Sequence, residues 1–198
     1  MDLFGNDDSF KIQKIKADSK AAKRELKQTF RQLNRDENCL NALKDGIPNE
    51  NEVQSFVSRG LSDAGSFLYA ISEIEGVIDE LIIATWTISK VNVRKLLEYI
   101  DNGKIKNLTF LINDGLLKTN STKPIYAFLC LEFDKRKDKI KFAVANSHAK
   151  IQLYKISNKY LTISGSGNWS ENPRIENYIL IGGKTQFEFN KQWISELM

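Results

Sequence analysis

Apolar residues recur along the chain in two rhythms, and the rhythm changes near residue 50. Residues 9–36 carry Ile12, Ile15, Leu26, Phe30 and Leu33 at mostly three- or four-residue spacing, contain no Gly or Pro, and are rich in Lys, Arg, Ala and Gln. That spacing predicts a long, basic amphipathic helix. Residues 44–52 gather Gly46, Pro48, Asn49 and Asn51, which predicts a turn or linker. Short helices are predicted over 52–60 and 62–75, the second closed near Gly76.

From residue 80 the pattern alternates between element types. The β-branched and aromatic run at 80–89 predicts a buried strand, and 90–103 a helix closed by Asn102-Gly103. A second strand is predicted at 107–114, and a helix opened by Pro124 through about residue 136. A strand at 139–146 follows, then strands at 149–156 and 160–166 joined as a hairpin by Ser157-Asn158-Lys159. A last strand at 177–183 and an amphipathic helix at 185–198 close the chain.

Strand, helix, strand, helix and then a hairpin describe an α/β fold: a mixed β-sheet with helices on both faces. The expected organisation is a basic helical N-terminal extension over 1–60 and one sheet-bearing domain over 61–198. No internal repeat is visible, so the sheet carries one copy of its site.

Composition changes this picture little. The 198 residues are 41% hydrophobic and 27% charged, which excludes the low-hydrophobicity class of disordered chains. A net charge of +4 permits contact with a phosphate backbone without demanding it. Cys39 and Cys130 fall in segments that read as helical and show neither metal-ligand spacing nor a disulfide framework, so reduced thiols are expected. With no apolar run of bilayer length and an acidic start, the expectation is a cytoplasmic protein with no membrane partner.

Candidate chemistry concentrates in residues 146–177, "NSHAKIQLYKISNKYLTISGSGNWSENPRIEN", which hold the only histidine of the chain. A lone histidine is by default a surface or satisfied core residue. His148 and Lys150, however, are two apart, which on a strand turns both side chains to one face, about 7 Å apart. The partner strand ends in Gly165-Ser166-Gly167-Asn168. Glycines there let backbone approach a ligand, and the Ser166 hydroxyl, the Asn168 amide and backbone N–H groups can donate to an anion. Together these groups can hold a phosphoryl group and attack it.

The same residues resemble the signature of the phospholipase D superfamily, in which H-x-K is followed by four residues, an Asp, six residues and G-S-x-N. His148, Lys150, Gly165, Ser166 and Asn168 match it, and Glu176 resembles the acidic residue found downstream. Two features depart. Lys155 stands where counting forward from Lys150 puts the Asp, and nine residues separate it from Gly165; counting backward from Gly165 lands on Asn158 instead. The resemblance covers residues 62 to 197 on fold pattern and makes 61–198 a phospholipase D-like domain. It implies a metal-independent phosphodiesterase without a cofactor. His148 would be the nucleophile, Lys150, Ser166 and Asn168 would hold the phosphate, and Glu176 would orient His148 in place of the missing Asp.

In that superfamily two copies of the motif face each other, one His attacking and the other protonating the leaving oxygen. A chain with one His therefore implies a homodimer with both His148 side chains across a two-fold axis. The absence of a membrane segment and the basic N-terminal stretch favour nucleic acid, DNA or RNA, as substrate. Trp169 could stack a base or simply pack; for Trp86 packing is the preferred reading. Arg174 could hold a flanking phosphate or be a loop residue without a role. A nuclease stands nearly level with a protein that binds a phosphodiester without cleaving it. An adaptor recruited through its N-terminal helix is the third reading.

Overall fold

The computed structural model describes residues 27–33, 39–59, 63–170 and 174–198. The strands are β1 (Lys27–Leu33), β2 (Glu52–Arg59), β3 (Glu80–Thr85), β4 (Leu108–Asn113), β5 (Ile140–Ala145), β6 (Ile151–Ile156), β7 (Lys159–Gly165) and β8 (Ile175–Gly182). They form a single sheet in the order β1-β2-β8-β7-β6-β3-β4-β5. The helices are α1 (Cys39–Ala42), α2 (Ser66–Glu75), α3 (Lys90–Asp101), α4 (Gly115–Lys118), α5 (Lys123–Asp134) and α6 (Lys184–Ser195). β3, β4 and β5 run parallel through helical crossovers, whereas β6, β7, β8 and β2 alternate in direction.

Both faces of the sheet are covered. Alternation along β3 sends Leu81 and Ile83 into a large core shared with Phe67 and Ile71 of α2, Leu96 and Ile100 of α3, and Leu129 and Phe133 of α5. Ile82 and Ala84 point the other way, into a smaller core with Phe187 and Ile194 of α6. Because β3 and β4 bury both faces, they read as continuous apolar runs. The α3 boundaries follow from local chemistry. The Ser89 hydroxyl accepts from the Asn92 N–H at 3.2 Å, and Gly103 just past the end takes φ +73°, which a side chain disfavours.

Two expectations are corrected. Residues 52–59 form β2, antiparallel to β8, and 27–33 form β1, parallel to β2, where the apolar spacing predicts helices. Val53, Phe56 and Val57 have helical spacing, but as a strand this segment buries Phe56 and Ser58 and leaves Val57 exposed. Long-range pairing with β8 therefore overrides a local pattern. The rest of the predicted basic helix, residues 9–26 and 34–36, lies outside the described residues. Cys39, Leu43 and Ile47 enter the large core, so the sheet and its packing reach back before residue 60. Both cysteines are free; burial, with Asp63 nearby, pushes the Cys39 thiol up to about 12.

Candidate phosphate-binding site

Where β3, β4 and β5 end, β6 begins, because Ile151 pairs with Ala84. β7 ends beside it, and the first residues of β8 lie near Gly165, which pairs with Tyr178. The carboxyl ends of parallel strands, the place where α/β sheets bind ligands, thus coincide with the candidate motif.

His148 and Lys150 lie in the irregular stretch just before β6 rather than on the strand itself. Their side chains nevertheless meet, with Lys150 Nζ 3.2 Å from His148 Nδ1 and the same distance from the His148 carbonyl. An ammonium has only protons to offer, so in this contact Nδ1 is the acceptor. The imidazole is exposed, and its other neighbour is the Trp86 ring, 4.6 Å away between centroids and tilted 60°. Burial holds the Lys150 amine below the usual lysine range, opposed by the charge of Glu176. This loop is tied down by the buried Asn113. Its Nδ2 donates to the Ser147 carbonyl at 2.7 Å, and its Oδ1 accepts from the Gly115 N–H at 2.6 Å.

The second loop, from Gly165 to Trp169, is held far more tightly. The Ser166 hydroxyl donates to Glu176 and accepts from the Asn177 N–H at 3.0 Å. The Asn168 carbonyl accepts from the Ala64 N–H at 2.9 Å, and the Trp169 carbonyl accepts from the Asn92 side chain at 2.8 Å. Asn92 also donates to Asp63 at 2.6 Å, and Asp63 accepts from the Gly65 N–H at 2.8 Å. Burial raises the Asp63 carboxyl above the usual range, and the bond from Asn92 opposes this. Below it a buried relay runs from Tyr154 to Gln152 and from Gln152 to the Ala64 carbonyl at 2.7 Å.

The fold thus brings together His148, Lys150, Ser166 and Glu176 at one end of the sheet. Asn168 is half-buried, and its Oδ1 has no hydrogen-bond partner among the described residues. Three expectations change. Trp169 is 2% exposed, so its ring packs in the core and offers no face for a base. Trp86, expected to pack, is 40% exposed beside the imidazole. Gly165 and Gly167 are small because protein crowds them: a Cβ at Gly167 would run into the Tyr178 hydroxyl, and one at Gly165 into the Asn177 carbonyl oxygen. Arg174 is exposed just ahead of β8.

Asp79, just before β3, accepts from the Ser157 N–H in the β6–β7 turn at 2.8 Å and from Lys106 at 2.6 Å. These bonds, Lys106 first, hold its carboxyl below the usual range. Asp63, Asn92, Asn113 and Gln152, which anchor the two loops, stand outside the sequence motif. Each comes from a different segment, among ordinary polar neighbours, and nothing in its spacing marks it out.

Among the described residues no group of three or more His, Cys, Asp or Glu side chains gathers to hold a metal, and no helix is long and apolar enough to cross a membrane. A cavity of about 760 Å³ opens beside α2 and α3, lined by Asp63, Tyr69, Asn92, Lys95 and Trp169. It shares the anchoring residues of the second loop but includes none of His148, Lys150 or Ser166.

No protein-family model matches the chain, and no curated protein matches it by sequence. Solved structures do match. Phosphatidylserine synthase of Haemophilus influenzae superposes with a TM-score of 0.51 at 13% identity, over 73% of this chain and 38% of that one. Polyphosphate kinase from Porphyromonas gingivalis superposes with a TM-score of 0.55 at 10% identity, over 80% of this chain and 27% of that one. Both have the phospholipase D-like fold, and the fold of this chain is of that type. The chain spans well under half the length of either protein, and at these identities the likeness is one of fold alone.

Proposed function

We propose that the chain is a metal-independent phosphodiesterase acting on DNA or RNA through a phosphohistidine, with two copies of the chain forming one site. The observation that carries this reading is the exposed His148 imidazole in contact with Lys150 Nζ at 3.2 Å, at the carboxyl end of the parallel strands. A phosphate entering there draws the ammonium off Nδ1, and the ring can then take its proton on Nδ1 and present the Nε2 lone pair to phosphorus. The Nε2–P bond forms as the P–O bond to the leaving group breaks. His148 of the second copy gives that oxygen its proton. Water then attacks phosphorus, loses a proton to that second imidazole, and releases the first. Splitting one displacement into two, with a placed acid worth about 10²–10⁴-fold, is the source of rate. Ser166, fixed by Glu176 and Asn177, lines the same end of the sheet.

One observation favours a second reading, binding without cleavage: Nδ1 of His148 faces a cation, whereas a carboxylate there would favour the nucleophilic tautomer. One experiment separates the two. The protein is incubated with single- and double-stranded nucleic acid in EDTA. Cleavage that disappears in His148→Ala supports the enzyme, binding without cleavage supports the second reading, and absence of both removes the phosphate site altogether.

A further inference from the structure

The two tryptophans at this end of the sheet are used in opposite ways: Trp169 is 2% exposed and Trp86 40%. Trp86 follows the last residue of β3, and its indole has neighbours on two sides. The imidazole of His148 lies 4.6 Å away between centroids, and Trp86 Cζ2 lies 3.9 Å from where a Cβ on Gly115 would sit. Gly115 is itself held by Asn113. Much of the indole nevertheless faces water, next to the ring assigned as nucleophile. Cations stand at the same end: Lys90 opens α3 and Lys123 opens α5.

We infer that Trp86 is a stacking platform for the unpaired base next to the phosphate bound at His148, which makes single-stranded nucleic acid the substrate class. This rests on the phosphodiester reading above and adds to it what that reading leaves open. Every base has a π-face, so an indole accepts any of them, and aromatic stacking of this kind is lost on substitution by alanine. Inside a duplex the same face is covered by neighbouring base pairs and becomes available only on unstacking.

The test compares three probes: a single-stranded oligonucleotide, an abasic oligonucleotide of equal length with the same phosphates, and anionic phospholipid vesicles. The wild-type protein is expected to bind the base-bearing strand roughly 10- to 100-fold more tightly than the abasic one. Trp86→Ala is expected to remove that ratio while leaving abasic binding in place, and Trp86→Phe to keep most of it. The thermal transition of each variant reports that it is folded. Equal binding of both strands by the wild type overturns the stacking platform while the phosphate site stands. So does an equal loss for both strands in Trp86→Ala. Binding of neither strand overturns both readings, and preference for vesicles overturns nucleic acid as the substrate class.

Discussion

Two loops meet at the candidate site and are built differently. The loop from Gly165 to Trp169 is bonded through the backbone of nearly every residue, and Gly167 is pressed against Tyr178. The loop carrying His148 and Lys150 is more open and hangs mainly on Asn113. The difference teaches which part is scaffold and which part can move. A frame whose backbone groups are mostly paired and whose glycines are packed holds one geometry, while an exposed imidazole–amine contact can open for a ligand at little cost.

The largest expected effect breaks the rigid loop. Gly167→Ala forces a Cβ into the Tyr178 hydroxyl, and a loss above about 3 kcal/mol is expected in denaturant unfolding, beyond ordinary overpacking because the clash is with a packed ring. Asn92→Ala leaves the Trp169 carbonyl and Asp63 without this donor, an expected cost of about 1–3 kcal/mol by the same measurement. Asn113→Ala acts on the other loop. A similar stability cost is expected, with a larger relative loss of phosphate binding than in Asn92→Ala, because Ser147 adjoins His148.

Changing pH sharpens the contrast at Lys150 alone. Its burial lowers the pKa, so the ammonium is present below that value and lost as pH rises through it. Binding of an abasic oligonucleotide is expected to weaken at alkaline pH before the usual lysine range is reached, and Lys150→Arg to remove that early loss. The smallest effect is expected from Tyr178→Phe. Its buried hydroxyl has no partner among the described residues, so unfolding stability should stay within about 0.5 kcal/mol of the wild type.

Most elements after residue 80 are legible in the sequence because periodicity and caps agree there, as in β3, α3 and β4. β2 is not, since its apolar spacing is helical and only pairing with β8 makes it a strand. At the site, a short motif locates His148, Lys150, Ser166 and Glu176. The residues that hold them, Asp63, Asn92, Asn113 and Gln152, come from four separate segments, and only the folded chain places them together. The opposite fates of Trp86 and Trp169 are also illegible, because exposure depends on what packs behind a ring, which local sequence does not contain.

The adjoining pair of rings also supplies a built-in reporter. With one histidine in the chain, a proton spectrum holds a single set of imidazole signals, and the neighbouring indole imposes a ring current on them. Any molecule that slides against the indole or draws the amine away displaces those signals, so occupancy can be followed without a label.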